Sequence, residues 1–138
     1  MKITVKAEIA TTSDSAWELY TSPLHIVNWN FASPEWHCPS AENDLRVGGV
    51  YIARMEAKDG SMGFDFKATY SLIDIGNGFT YIAEEAREVN VAFSQIDKGT
   101  KITIVFDAEE INPPELQQQG WQSILDNFKK YAESYTGN

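Results

Sequence analysis

Residues Ile3, Val5, Ala7 and Ile9 alternate with Thr4, Lys6 and Glu8, the two-residue period of a strand with one buried face. Thr11 to Asp14 then supply side chains suited to capping a short helix that carries Trp17, Leu19 and Tyr20. Ser22-Pro23 repeats the signal, a cap followed by proline at the first helical position, and predicts a second short helix reaching about Trp29. Residues 30–47 are irregular and carry Pro34, Pro39, Trp36 and His37, so an aromatic-rich covering or functional loop is expected there.

From Val50 onward the pattern is β, with strands expected near 50–56, 62–74, 79–86, 88–96 and 101–109. Asp59-Gly60, Asn77-Gly78 and Lys98-Gly99 punctuate them as hairpin turns. In the second of these strands Phe64, Phe66, Ala68, Tyr70 and Leu72 share one face, and Asp65, Lys67, Thr69 and Ser71 the other. Ile102, Ile104 and Phe106 stand likewise against Lys101, Thr103 and Asp107. Short connections make these neighbours antiparallel.

Near residue 110 the period lengthens. Asn112, Pro113 and Glu115 read as a cap, a first-turn proline and a capping-box acid. Trp121, Ile124, Leu125, Phe128, Tyr131, Ala132 and Tyr135 follow at three- and four-residue steps, the stripe of an amphipathic helix of about 20 residues. Gly120 within it costs about 1 kcal/mol relative to alanine, which points to close packing or to space left for something. The prediction is an α+β fold: a six-stranded antiparallel sheet and a long C-terminal helix, with two short helices after the first strand. The sheet and helix bury their apolar faces against each other, and a curved sheet on a helix leaves a wedge suited to a ligand.

Composition narrows the class. A chain of 138 residues fits one domain, expected over 1–138, and is long enough to bury a core without a disulfide or a metal. Four Trp, six Tyr and seven Phe exceed what a minimal core needs, and they either line a cavity or fill it. Eleven basic against 20 acidic residues give a net charge of −9, which argues against nucleic acid and anionic membranes as partners. The single Cys38 forms no internal disulfide, no signal-peptide pattern opens the chain and no apolar run reaches about 18 residues. A soluble, cytoplasmic protein is the expectation.

Two stretches carry a family resemblance: Asp44-Leu45-Arg46-Val47-Gly48-Gly49-Val50-Tyr51, and Gly120-Trp121-Gln122-Ser123-Ile124-Leu125-Asp126-Asn127-Phe128. The sequence resembles, over nearly its whole length, the single-domain bacterial relatives of the activator of heat-shock-protein-90 ATPase, within the START-like (SRPBCC) superfamily. The resemblance implies a helix-grip fold with a hydrophobic cavity between sheet and C-terminal helix. Members of the wider superfamily bind lipids, polyketides or other apolar molecules, and a minority are cyclases or hydrolases. The namesake activation is not expected, because the eukaryotic activators carry a further N-terminal domain for which 138 residues leave no room. Read as residues, Gly48-Gly49 before a strand permits a turn or bulge that a Cβ would obstruct, and Trp121 anchors the helix or faces the cavity.

Signals for chemistry are sparse. His25 and His37 are the only histidines, and Cys38 beside His37 points the other way in a strand, so neither a metal site nor a Cys–His nucleophile is expected. Gly76-Asn77-Gly78 sits between strands and reads as a hairpin, not a phosphate loop. General acid–base work would fall to His25 or to an inward Glu84 or Glu85, since alternation sends only one of that pair into a cavity, where burial raises its pKa. The leading expectation is a binding protein that needs no cofactor and holds a hydrophobic small molecule; the alternatives are a cyclase- or hydrolase-like enzyme using the same cavity, and a chaperone-associated protein-interaction module. The expected lining is Trp29, Phe31, Trp36, Phe64, Phe66, Tyr70, Tyr81, Phe93, Trp121, Leu125 and Phe128, with His25, Arg54 and Glu84 orienting the ligand and the 30–47 segment as a lid.

Overall fold

The computed structural model describes residues 1–135. Strand β1 (Lys2–Ile9) leads into helices α1 (Ser13–Thr21) and α2 (Pro23–Ile26). Strands β2 (Trp36–Asn43), β3 (Val50–Ala57), β4 (Gly63–Asp74), β5 (Gly78–Ile82), β6 (Glu88–Ile96) and β7 (Gly99–Asp107) follow, and helix α3 (Pro114–Ser134) closes the chain. All seven strands form one antiparallel sheet in the order β1-β7-β6-β5-β4-β3-β2. The architecture is the expected α+β one, a curled sheet gripping a long C-terminal helix.

Four expectations need correction. The sheet has a seventh strand, β2, inside the segment read as irregular; a bulge between His37 and Ser40 interrupts its pairing, and Pro39 is tolerated there because β2 is an edge strand. The second helix ends at Ile26 rather than near Trp29. A bulge at Ser71 shifts the register of β4 on β5, so Leu72 turns outward and Ile73 takes the inner face. Strand β5 stops at Ile82, because the chain then makes a single helical turn over Glu84–Ala86 in which Glu85 and Ala86 both take positive φ.

Helix starts follow their local chemistry. Thr12 caps α1 through its hydroxyl, which accepts from the Ser15 amide at 3.1 Å, and Pro23 opens α2. The lead-in to α3 is organised differently from the expected Asn112 cap. Gln117, buried in the first turns of the helix, donates to the carbonyls of Glu109 (3.1 Å) and Asn112 (2.8 Å) and accepts from the Glu109 amide (2.9 Å).

Helix α3 packs chiefly on β1, and its polar face explains how. Gln118 and Gln122 donate to the carbonyls of Thr4 and Lys6, Lys129 donates to that of Glu8, and the amides of Lys6 and Ala10 donate to Gln122 and Glu133. These side chains recur at helical spacing and cover the free backbone of an edge strand, which would otherwise be a template for pairing with another chain. Gly48-Gly49 behaves as read. Gly48 lies at φ +85°, and a Cβ on Gly49 would run into the Asp44 carbonyl oxygen. The pair hooks onto β4 through Gly48 N to Tyr70 O (2.9 Å) and Tyr70 N to Gly49 O (3.0 Å).

Candidate functional site: a cavity between sheet and helix

The apolar faces of sheet and helix meet fully at one end only. There Trp17, Tyr20, Phe79, Phe93 and Phe128 interlock, with ring centroids 5.1–6.2 Å apart. Toward the other end, where β3 and β7 finish and β4 and β6 begin, the layers diverge and leave a cavity of about 420 Å³. That volume is within the range that holds a drug-sized molecule.

Its walls come from four directions. Tyr51 and Met55 project from β3, Phe66 from β4, and Tyr81 from β5; Trp121, Ile124 and Leu125 project from α3; Trp29 and Phe31 close it behind α2. Trp121 both anchors and lines: its ring stacks on Phe106 at 4.2 Å and meets Phe66 edge-on at 6.0 Å. Gly120 lies in the helical wall, and beyond the helix's own adjoining backbone a Cβ built there would meet no atom within 4 Å. Of the two readings of this glycine, close packing and open space, the second holds.

Eight of the expected lining residues meet at the cavity: Trp29, Phe31, Trp36, Phe64, Phe66, Tyr81, Trp121 and Leu125. Six do not. Phe93 and Phe128 belong to the filled end of the core, and Tyr70 runs past Tyr81 to donate to Asn43 at 2.7 Å. Arg54 lies on the outer face of β3, paired with Glu56 (2.8 Å) and Asp65 (3.5 Å), because Tyr51, Ala53 and Met55 take the inner one. Glu84 and Glu85 are both exposed, since the strand ends before alternation can choose between them. His25 sits outside the cavity, its Nδ1 2.7 Å from the Tyr131 hydroxyl. The two named routes to acid–base chemistry therefore do not converge on the cavity.

The polar groups that do line it come from places that alternation does not reach. Arg87 follows the helical turn after β5, while Glu109, Asn112 and Gln117 belong to the lead-in and first turns of α3. Glu109 is tied down by Asn112, whose amide and Nδ2 donate to its Oε1 at 2.7 and 2.8 Å. Inside, the Asn30 side chain donates to the Tyr51 hydroxyl at 3.0 Å. Burial pushes the phenols of Tyr20, Tyr51, Tyr70 and Tyr81 above their ordinary pKa, so they are neutral hydrogen-bonding groups across the physiological range. Cys38 is buried while His37 faces Glu56 at 3.8 Å on the other side of β2. Among the described residues no three His, Cys, Asp or Glu lie close enough to hold a metal ion, and no helix is long and apolar enough to cross a membrane.

A curled antiparallel sheet around a C-terminal helix, open as a cavity between the two, defines the helix-grip class of ligand-binding-type domains. The sequence profile of the Activator of Hsp90 ATPase homolog 1-like protein family matches residues 10–133, and the chain belongs to that family. The chain is similar to the AHSA1-like protein of Aeromonas hydrophila, at 38% identity and a TM-score of 0.90, covering 100% of this chain and 99% of that one. Chr148 of Cytophaga hutchinsonii is 44% identical with a TM-score of 0.82, over 96% of this chain and 92% of that one. CV1439 of Chromobacterium violaceum, 20% identical with a TM-score of 0.87 over 98% and 99% of the two chains, shares the fold. A search of curated proteins finds no match.

Proposed function

We propose that residues 1–138 form one unit that holds a mainly hydrophobic, lipid- or polyketide-like small molecule between the sheet and α3. The observation that carries this reading is the aromatic-walled cavity of about 420 Å³, left open in a chain whose other end is filled by the same residue types. Burial of apolar ligand surface supplies roughly 25 cal/mol per Å² before the costs of association are subtracted. Phe31, Ala32, Ser33 and Trp36 lie on the rim, where the segment between α2 and β2 acts as the lid. The cytoplasmic setting suggested by a lone cysteine belongs to the same proposal.

The test is a titration of isotope-labelled protein with fatty acids, sterols, flavonoids and aromatic polyketides, followed by amide and Trp-indole NMR shifts. Saturable shifts at Trp121, Phe66 and Gly120 support the reading and nominate a chemical class. Shifts confined to the outer face of the sheet, or silence across the whole panel, count against it and move the weight to a protein partner.

A further inference from the structure

Polar groups interrupt the apolar wall at two places, and each lacks the partner its neighbours have. Inside, Tyr20 and Tyr81 are only 8% and 4% exposed, yet neither hydroxyl is hydrogen-bonded among the described residues, whereas those of Tyr51 and Tyr70 are bonded to Asn30 and Asn43. No fully enclosed side-chain oxygen or nitrogen among the described residues is left unpaired. The two free hydroxyls are therefore reached from the cavity, which both residues line. Both hydroxyls are donors open to the space a ligand would occupy, and an acceptor on the ligand gives them a partner there.

At the mouth the unpaired group is Arg87. Its Nε donates to the Glu84 carbonyl at 3.2 Å, and its two terminal nitrogens make no hydrogen bond among the described residues. The chain's other arginines both have carboxylates: Arg46 has Asp44, and Arg54 has Glu56 and Asp65. In a chain with 20 acidic residues against 11 basic ones, an arginine on a cavity rim that forms no ion pair among the described residues stands apart. Glu109, on the same rim, is engaged by Asn112 instead.

Resting on the binding reading above, we infer that the ligand is an apolar monocarboxylate with a hydrogen-bond acceptor at its far end. Its carboxylate sits on the forked donors of Arg87 at the mouth, and its acceptor, a carbonyl or ether oxygen, sits on Tyr81 and Tyr20 inside. A single negative charge fits best, because one guanidinium is available and Glu109 repels a second charge.

The test uses a matched pair of probes, 6-methoxy-2-naphthylacetate and its methyl ester, which share the body and the distal ether oxygen and differ in the charge. Affinities are measured by Trp fluorescence and NMR on the folded wild type, Arg87→Gln, Glu109→Gln and Tyr81→Phe. The acid is expected to bind about tenfold more tightly than the ester, as a charge-assisted pair provides. Arg87→Gln erases that preference, chiefly by weakening the acid, and Glu109→Gln enlarges it. Tyr81→Phe weakens both probes about fivefold, the share of one neutral hydrogen bond. Equal affinity of acid and ester, or a preference that survives Arg87→Gln, overturns the carboxylate assignment while ester binding in the cavity leaves the broader reading standing. Unchanged binding in Tyr81→Phe overturns the acceptor assignment, and silence of both probes at Trp121 and Phe66 overturns the inference, while the wider panel decides the reading it rests on.

Discussion

Gly120 offers a perturbation whose two effects have opposite signs. Glycine inside a helix is about 0.8–1.0 kcal/mol less favourable than alanine, and nothing within 4 Å of the site demands its small size. Gly120→Ala therefore gains about that amount of stability, which in a chain of this length corresponds to about 3–5 °C in Tm. Gly120→Leu keeps nearly all of the propensity gain, since leucine ranks close behind alanine. Helical side chains lean over the preceding turn, so the new isobutyl group covers the side of the cavity near Gln117 and narrows its mouth. Under the proposed binding function, the protein becomes more stable and loses affinity for a cavity-bound probe by tenfold or more.

Thermal unfolding followed by near-ultraviolet circular dichroism measures the first effect. Titration of each variant with the probe bound best by the wild type measures the second. A fall in Tm for Gly120→Ala would refute the open space beside the helix. A stabilised Gly120→Leu that binds with unchanged affinity would refute the mouth near α3 as the place where the ligand enters and sits. A mere folding defect cannot imitate the expected pattern, because it lowers both quantities together.

Three further outcomes follow from the same structure. Gly49→Ala forces a Cβ onto the backbone oxygens of Asp44 and Arg46 and loses about 2–3 kcal/mol in urea denaturation, whereas Gly48→Ala, strained only by its positive φ, loses about 1 kcal/mol. In alkaline titration read at 295 nm, Tyr20, Tyr51, Tyr70 and Tyr81 stay protonated through a pH of about 10; because burial raises their folded pKa, the stability they hold is complete below the unfolded value, is lost above it, and their absorbance appears with unfolding. The Asp107 carboxyl is held below its ordinary range by hydrogen bonding to Lys2, 2.8 Å away, and to the Glu88 amide, so Asp107→Asn lowers Tm by less than about 2 °C near neutrality and by nothing once the pH falls below the folded pKa.

What the sequence made legible was set by periodicity. Alternation placed Phe64, Phe66, Ala68 and Tyr70 on one face of β4, and the helical stripe placed Trp121, Leu125 and Phe128 toward the sheet. Bulges are where that reading slipped, because a single extra residue inverts every face beyond it: Leu72 turned outward after Ser71, and β2 was hidden behind the bulge around Pro39. The turn after β5 carried no warning, since its left-handed residues are Glu85 and Ala86 rather than glycine. Phe64, Phe66, Tyr81, Trp121 and Leu125 were readable because each follows from the period of its own element, whereas Trp29, Phe31 and Trp36 follow from no such period. Tyr51 was within reach by the same logic, on the face of β3 that holds Ala53 and Met55. Arg87, Glu109 and Gln117 were not, because they meet only where the ends of separate elements come together.

The cavity persists in a chain rich enough in aromatics to fill it, and the seating of α3 supplies the reason. The helix is fixed at one side of the sheet by five hydrogen bonds between its polar side chains and the backbone, four to β1 and one to Ala10 just after it. Trp121 reinforces that position by stacking on Phe106 of β7, the strand next to β1. The sheet continues past the helix through β5, β4 and β3, whose inner residues Tyr81, Phe66, Tyr51 and Met55 face it across open space. Closing that space would require α3 to move off β1. At about 0.5–1.5 kcal/mol for each hydrogen bond released, the move would cost several kcal/mol and leave an edge strand uncovered. Filling the gap from the sheet side is no easier, because Tyr51 and Tyr81 already reach inward from strands whose register is set by pairing on both sides. The polar stripe on α3, which contributes nothing to the apolar lining, is therefore what holds the cavity open.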